Sequence, residues 1–265
     1  MDLGLKDKVF LITGGAEGIG GAITEACLHE GAIPVIVNSD SPAVQRFVDG
    51  LKADGARFEL ITMLLDQPET CKAAVDETLR RCGRIDALVN NAGVNDKVGL
   101  ENGDPESFLT SVKRNLWHYY SMTHYALPAL IKSQGSILNI ASKTALTGQG
   151  ETSGYAASKG GVLALTREWA VELLPYSIRV NAIVPSEVMT PQYKRWIATF
   201  PDAEDKLASI VAGIPFGKRM TEPSEIAATA IFLLSTQSSH TTGQHVFVDG
   251  GYVHLDRAVR SILHG

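Results

Sequence analysis

Short apolar segments alternate with helical segments along the whole sequence, and this alternation limits the fold more than any other feature. Seven segments are predicted strands, at residues 9–13, 34–38, 58–65, 87–90, 136–140, 178–184 and 245–248. Helical patterns separate them, chiefly at residues 18–30, 43–53, 68–82, 106–132, 155–174 and 225–234. The strands are continuous apolar runs, as expected of strands that are covered on both faces. The pattern predicts an α/β fold with a doubly wound, seven-stranded parallel sheet of the Rossmann type.

A chain of 265 residues suits one such domain, so we predict a single domain over residues 1–265. One stretch, residues 189–219, departs from the alternation and contains Pro191, Pro201 and Pro215. We predict that it is an irregular insertion. Because it follows the carboxyl end of a strand, we also predict that it acts as a substrate lid.

Composition excludes several functional classes. The net charge is −5, and no cluster of Lys and Arg exceeds two adjacent residues, which disfavours a nucleic-acid partner. The apolar runs are too short to span a bilayer, and the first residues show no signal-peptide pattern. The three scattered cysteines (Cys27, Cys71 and Cys82) fit neither a disulfide framework nor a metal site. These features predict a cytoplasmic protein with free thiols and no metal.

A glycine-rich turn joins the first strand to the first helix. Gly14, Gly18 and Gly20 have the spacing Gly-x-x-x-Gly-x-Gly, with Glu17 and Ile19 between them. A bound pyrophosphate needs close backbone approach, free N–H groups and the positive end of a helix dipole. Glycines remove the Cβ atoms that would block that approach. The turn therefore predicts a dinucleotide site.

The end of the second strand bears on the choice of dinucleotide. An acid there would bind the adenosine ribose and repel a 2′-phosphate, but this chain has Asn38. Arg46 is the first nearby cation in the sequence, and Glu17 would repel a 2′-phosphate, so NAD is favoured over NADP. Asp66, after the third strand, is predicted to hold the adenine amino group or to cap the next helix.

The predicted catalytic residues follow the fourth and fifth strands. Tyr155 and Lys159 are four residues apart at the start of a helix, which places the phenol and the ammonium on one face. Hydride transfer between a nicotinamide and a carbon requires proton transfer at the neighbouring oxygen. A nearby ammonium, helped by the charge of the oxidised nicotinamide, favours the phenolate that would do this. Ser142 would bind the same substrate oxygen, and Asn115 would hold a water that links Lys159 to solvent.

With the motif Asn90-Asn91-Ala92-Gly93, these features resemble the short-chain dehydrogenase/reductase family over nearly the whole chain. The resemblance implies that the Asn115, Ser142, Tyr155 and Lys159 tetrad is catalytic. It implies further nucleotide contacts, and a homotetramer that packs through the helices at 106–132 and 155–174. The implied nucleotide contacts are Asn91, Ala92, Gly93, Pro185, Val188 and Thr190. The chain departs from the family at Asn38 and at Ser186, where the family usually has glycine.

Three further segments, beginning at Ser142, Pro185 and Val248, are similar to bacterial L-fucose dehydrogenases. This narrower resemblance implies oxidation of L-fucose or a related aldose at the anomeric carbon to the lactone. A sugar pocket should be polar, and the predicted substrate residues are Ser142, Lys143, Gln149, Tyr155, Glu187 and Trp196. Glu187 is either an acceptor for a sugar hydroxyl or a solvated carboxylate. His254 and Asp256 are predicted to be interface contacts or to reach a neighbouring subunit's site.

Two alternatives stay open. The same machinery could act on another small polar substrate such as a keto-uronate, with Lys143 and Arg114 binding its carboxylate. A dinucleotide-binding regulator without turnover is the alternative from another class, although such a protein need not retain Ser142, Tyr155 and Lys159 together.

Overall fold

The computed structural model describes residues 2–255, so the predicted contact Asp256 lies outside the described residues. Its seven strands form one sheet in the order β3-β2-β1-β4-β5-β6-β7, and every neighbouring pair is parallel. The strands are β1 (Val9–Thr13), β2 (Ile33–Asn38), β3 (Glu59–Thr62), β4 (Ala87–Asn90), β5 (Ser136–Ile140), β6 (Arg179–Pro185) and β7 (His245–Val248). The predicted doubly wound sheet is confirmed.

Successive residues of a strand point to opposite faces of the sheet, which explains why the strands are apolar throughout. In β1, Leu11 belongs to the core on one face, whereas Phe10 and Ile12 belong to the core on the other. Each of the three is at most 1% exposed, so each contributes roughly 1.5–3 kcal/mol of hydrophobic stabilisation. The edge strands β3 and β7 are only partly buried.

Helices cover both faces. They are α1 (Gly18–His29), α2 (Pro42–Ala53), α3 (Pro68–Cys82), α4 (Pro105–Val112), α5 (His118–Ser133), α6 (Ser153–Glu172), α7 (Pro191–Ile197), α8 (Ala203–Ala212) and α9 (Pro223–Leu234). On one face α1 packs against α9, and on the other α5 packs against α3 while α4 packs against α6. None of the helices within residues 2–255 combines the length and apolarity needed to cross a membrane.

The helix predicted at residues 106–132 is interrupted. Asp104 caps α4 by accepting hydrogen bonds from the backbone N–H groups of Glu106 and Ser107 at 2.9 and 3.0 Å. A π-helical turn, Lys113–Trp117, then separates α4 from α5. Such a turn holds one residue more than an α-helical turn, so it changes which residues of α5 face the sheet.

The segment at 189–219 is not the irregular insertion that we predicted. It contains α7 and α8, and Thr190 caps α7 by accepting a hydrogen bond from the N–H of Tyr193 at 3.1 Å. A parallel bridge between Val188 and Thr221 ties the two ends of the segment together. The prolines that suggested irregularity include Pro191, which occupies the first position of α7, where proline is tolerated.

Candidate active site

A cavity of about 820 Å³ is lined by residues at the carboxyl ends of the strands. The order of the strands reverses direction between β1 and β4, and ligands of doubly wound sheets bind at such a switch point. The cavity collects most of the predicted site residues: Gly14, Glu17, Gly18, Ile19, Asn38, Asp66, Asn91, Ala92, Gly93, Ser142, Tyr155, Lys159, Pro185, Val188 and Thr190. Residues from both halves of the chain therefore share one site.

Six other predicted site residues do not line the cavity. Gly20 and Asn115 lie behind its wall, and Gln149 is exposed on the surface. The remaining three are Lys143 and Glu187, which pack near α7, and Trp196, which belongs to α7.

The glycine turn has the shape that a dinucleotide requires. Gly14 and Gly18 have φ values of +64° and +54°, a left-handed conformation that glycine adopts at little cost. A Cβ at Gly14 would lie 3.0 Å from Nδ2 of Asn91, and a Cβ at Gly18 would lie 3.2 Å from the Thr190 side chain. The same amide group of Asn91 donates hydrogen bonds to the carbonyls of Thr13 and Gly14 at 3.0 and 3.1 Å. The backbone of the turn at Gly14 and Gly18 is therefore accessible from the cavity, since neither residue has a side chain to cover it.

Gly20 contributes to this turn through packing. A Cβ there would lie 2.1 Å from the carbonyl oxygen of Gly14, so only glycine lets α1 approach the turn. At the start of α1, Glu17 makes no side-chain capping bond. The first N–H groups of a helix have no intrahelical acceptor, so those of α1 can serve an anion. The residues present therefore fit the pyrophosphate of a nicotinamide dinucleotide.

Tertiary structure changes the charges that surround the adenosine end. Asn38 turns its Oδ1 to the N–H of Ala16 at 3.3 Å, and Glu17 pairs with Arg195 of α7 at 3.4 Å. Lys113 and Arg114, on the π-helical turn, also line the cavity. The cavity therefore has cations that come from a distant part of the chain, and the preference for NAD over NADP stays a prediction.

Ser142, Tyr155 and Lys159 share one wall of the cavity. Ser142 caps a short 3₁₀ turn after β5 by accepting a hydrogen bond from the N–H of Thr144 at 3.2 Å. Burial raises the pKa of Tyr155 to about 12, and a hydrogen bond with Ser142 acts in the opposite direction. In the chain by itself the phenol is thus harder to ionise than free tyrosine. The ammonium and the charge of an oxidised nicotinamide, which we predict to favour the phenolate, therefore act against the effect of burial.

Lys159 lies beside this phenol and is buried as well. Burial lowers the pKa of its ammonium to about 7, so its charge is only partly present at neutral pH. Its Nζ lies 5.6 Å from the ring centroid of Tyr155 and donates hydrogen bonds to the Tyr119 hydroxyl and the Ile140 carbonyl at 3.0 and 2.8 Å. Tyr119 was missed as a site residue. The π-helical turn that directs Tyr119 inward is not evident from residue spacing.

Asn115 lies in that turn and is fully buried. Its Oδ1 accepts a hydrogen bond from the N–H of Val94 at 2.8 Å, and its Nδ2 donates to the carbonyl of Ser111 at 2.9 Å. A Cβ at Gly93 would lie 2.9 Å from Asn115 Oδ1 and 3.7 Å from Lys159 Nζ. Asn115 therefore fixes the backbone at Gly93 and Val94, which passes directly beside Lys159.

A polar cluster next to the catalytic wall joins four segments. Lys143 forms an ion pair with Glu187, and their side chains are 8% and 14% exposed. The hydroxyl of Tyr193 donates to Glu187 at 2.8 Å, and Tyr193 itself lines the cavity. The ammonium of Lys143 also lies 4.0 Å from the ring centroid of Tyr252. Glu187 is therefore a paired carboxylate, not the solvated one of our alternative.

Trp196 belongs to an aromatic row along and just beyond α7. Its ring packs edge-to-face against Tyr193 and Phe200, each with a centroid distance of 5.1 Å, and Lys97 lies 5.7 Å from its centroid. The row connects α7 to the loop after β4. Within residues 2–255, no group of three or more potential ligands among His, Cys, Asp and Glu is placed to hold a metal ion.

Comparison with known proteins agrees with this geometry. Residues 14–253 match the family model described as enoyl-(acyl carrier protein) reductase. The chain is 36% identical to the L-fucose dehydrogenase of Bos taurus over 250 residues, which cover 92% of this chain and 88% of that protein. It is 34% identical to the 3-oxoacyl-[acyl-carrier-protein] reductase FabG of Thermotoga maritima, over 94% of this chain and 99% of that protein. The crystal structure of Cj0485 dehydrogenase superposes with a TM-score of 0.92 at 46% identity, covering 97% of this chain and 98% of the other.

Proposed function

Since the chain belongs to the short-chain dehydrogenase/reductase family, whose members are oxidoreductases that act on CH–OH groups with NAD or NADP, we propose that it oxidises a sugar. The proposed substrate is L-fucose or a related aldose, which is oxidised at the anomeric carbon to the lactone. The observation that carries the proposal is the single cavity that joins a dinucleotide cradle to Ser142, Tyr155 and Lys159.

The proposed chemistry assigns one task to each side chain. When bound, the oxidised nicotinamide supplies the hydride acceptor and a positive charge beside the phenol. Tyr155 takes the proton from the anomeric hydroxyl as the C–H bond breaks and the C=O bond forms. Ser142 donates a hydrogen bond to the same oxygen and stabilises its developing charge. Lys159 supplies the nearby cation that the buried phenol needs in order to ionise.

The polar cluster supports a sugar over an apolar chain. A sugar presents several hydroxyls, and each needs a partner when it is buried. Tyr193 offers its hydroxyl at the cavity wall, and Lys143 and Glu187 hold it in place from behind. We propose that sugar hydroxyls bind this cluster, and that Trp196 packs against the C–H face of the sugar when α7 closes. Gln149 stays a prediction as a further contact, since it lies on the surface.

Similarity to an L-fucose dehydrogenase and to an acyl-carrier-protein reductase is nearly equal, so sequence identity does not decide the substrate. The Tyr193 hydroxyl at the cavity wall favours the sugar, because a sugar hydroxyl can donate a hydrogen bond to it and a fatty acyl chain cannot.

For the cofactor we propose NAD. Glu17 lines the cavity and opposes a 2′-phosphate through like charge, and its pairing with Arg195 at 3.4 Å reduces this repulsion without removing the carboxylate. NADP is the alternative, and the observation in its favour is that Lys113 and Arg114 line the same cavity.

These two cations also support the second candidate function, oxidoreduction of a small carboxylate-bearing sugar such as a keto-uronate. Neither Lys113 nor Arg114 is paired with a carboxylate side chain in the part of the chain that the structure describes. A substrate carboxylate that reaches these two cations would supply the missing anion.

We also propose that the chain forms a homotetramer in the cytoplasm. Phe108, Leu109 and Tyr120 expose 36%, 61% and 54% of their surface on α4 and α5, and Val171 on α6 exposes 67%. Apolar side chains that a chain leaves exposed on neighbouring helices favour contact with a second copy. Light scattering of the purified protein measures the oligomeric state directly.

One assay separates the candidate functions. The absorbance of reduced nicotinamide is followed with L-fucose and other aldoses in the presence of NAD or NADP, and with NADH and a keto-uronate. Formation of reduced cofactor from L-fucose supports the proposal. Oxidation of NADH by the keto-uronate, without turnover of any aldose, supports the second candidate. Nucleotide binding without turnover of either class identifies a non-catalytic binding protein and contradicts both.

A further inference from the structure

The charge of Lys159 depends on very few groups. The side chain is buried, with 2% of the residue exposed, and no carboxylate within residues 2–255 forms an ion pair with it. Its ammonium has three N–H donors. Two of them reach the Tyr119 hydroxyl and the Ile140 carbonyl, which leaves one donor for the cavity that Lys159 lines. Neutral oxygens alone therefore replace the water that burial removes.

Of these two oxygens, the one on Tyr119 belongs to a side chain, so a substitution can remove it, whereas the Ile140 oxygen is a backbone carbonyl. Tyr119 is the second residue of α5 and is 1% exposed. Its hydroxyl donates to the Ile140 carbonyl at 3.0 Å, so its proton points to Ile140 and a lone pair faces Lys159. The three groups form a closed triangle in which the direction of every hydrogen bond is determined.

Tyr119 is not a second acid or base. Burial raises the pKa of its phenol, and the neighbouring Tyr155 raises it further, so Tyr119 stays protonated wherever the protein is folded near neutral pH. The other titratable group that faces Lys159 from α5 is His118, whose ring packs edge-to-face on Tyr119 at 4.9 Å. Burial lowers the pKa of His118 to about 4, so it carries no charge that could compete. From α6 only the phenol of Tyr155 faces Lys159 at short range.

The local backbone supports this arrangement. The π-helical turn Lys113–Trp117 comes immediately before α5, and one extra residue in a turn rotates the following side chains by about 100° relative to a continuous α-helix. The same turn places Asn115 behind Gly93 and Tyr119 against Lys159. Two contacts to the catalytic lysine region thus arise from one backbone feature.

We propose that Tyr119 is a positioning residue, whose hydroxyl holds the Lys159 ammonium against the cavity wall and keeps it charged. The importance of this role for turnover rests on the proposed function, in which Lys159 assists Tyr155. The hydrogen bond between Tyr119 and Lys159 does not depend on the proposed function, so the hydrogen bond and its importance for turnover are tested separately.

The test compares Tyr119→Phe with Tyr120→Phe. The first change removes only the buried hydroxyl, and the second removes a hydroxyl from the adjacent residue, whose side chain is 54% exposed. In protein carrying ¹³C-labelled lysine, NMR follows the titration of Lys159, which is identified by its absence from Lys159→Met. The measurement uses the full chain without added nucleotide and needs no substrate.

An acceptor stabilises the charged form, so its removal lowers the pKa of the lysine. We expect the titration midpoint of Lys159 to fall by about one to two pH units in Tyr119→Phe, the size typical of a hydrogen bond to a charged group. It should not move in Tyr120→Phe. An unchanged midpoint in Tyr119→Phe, or equal shifts in both variants, overturns the proposal. If Tyr119→Phe does not accumulate as folded protein, Tyr119→Met removes the hydroxyl and leaves a flexible apolar side chain that can adapt to the site, and it carries the same test.

Turnover provides a second readout. If Lys159 must be charged, kcat/KM is lost as pH rises through its pKa, and this alkaline limb should move to lower pH by the same amount in Tyr119→Phe. An NMR shift with an unmoved pH profile means that Lys159 is held by Tyr119 but does not assist the base, which counts against the proposed mechanism and not against the hydrogen bond.

Discussion

Removal of one partner from the Lys143–Glu187 pair should destabilise the protein and selectively weaken substrate binding. Both side chains are largely buried, at 8% and 14% exposed, so either charge alone would be left in a poorly solvated place. Breaking a fully buried pair costs about 3–5 kcal/mol. Because some exposure remains and Tyr193 still donates to Glu187, we expect about 2–3 kcal/mol for Lys143→Met.

Thermal unfolding followed by circular dichroism measures this effect. For a domain of this size, 2–3 kcal/mol corresponds to a decrease in Tm of roughly 4–12 °C. Lys72→Met is the matched control, because Lys72 pairs with Asp76 on an exposed helix face and should leave Tm unchanged. The double variant Lys143→Met with Glu187→Gln should recover most of the loss, since it leaves no buried charge unpaired.

The pair also has a functional consequence. It connects the turn after Ser142 to Tyr193 on α7, so we expect KM for the sugar to rise in Lys143→Met while the dissociation constant of the nucleotide stays the same. Equal Tm values for Lys143→Met and Lys72→Met would refute the energetic reasoning. A matching loss of nucleotide affinity would refute the assignment of this cluster to the substrate.

Three other expected outcomes concern the cradle and the catalytic wall. Gly20→Ala should abolish nucleotide binding in a fluorescence titration, because its Cβ would lie 2.1 Å from a backbone oxygen, whereas Gly50→Ala, with open space around it in α2, should bind normally and gain about 1 kcal/mol of stability. Tyr155→Phe should lose turnover and keep nucleotide affinity; unchanged activity would show that another group is the base. Lys159→Met should be inactive, and its Tm at pH 6 should be higher than that of the unsubstituted protein. This difference in Tm should shrink as the pH rises above 7. The sign follows from the lowered pKa of Lys159 in the folded protein: the unfolded chain binds the extra proton between pH 7 and 10.5, so folding of the unsubstituted protein gains stability as pH rises through that range. A constant difference between pH 6 and pH 10 would contradict this account.

Residue types and spacing were sufficient for the fold and for most of the site. The seven strands were predictable because parallel strands covered on both faces are apolar throughout, as β1 and β5 are. The glycine turn, Ser142 and the Tyr155–Lys159 pair were predictable for a related reason. Each follows a strand, and the carboxyl ends of parallel strands meet at one edge of the sheet. Residues that follow different strands in the sequence therefore lie close together in the structure.

Contacts that depend on the phase of a helix or on distant segments were not predictable. Tyr119 reaches Lys159 only because a π-helical turn precedes α5, and helical spacing assumes 3.6 residues per turn throughout. The cations Lys113 and Arg114 enter the cavity through the same turn. Glu187 was predicted near the substrate but as an available acceptor, and its partner Lys143 lies 44 residues away in the chain.

The amino-acid sequence alone thus determines which elements form and which chemistry stands at the end of each strand, because these depend on burial and on turns within a few residues. Only the tertiary structure decides the charge state of the groups at the catalytic wall. Burial raises the pKa of Tyr155 and lowers that of Lys159, and the extent of burial is a property of the packed chain.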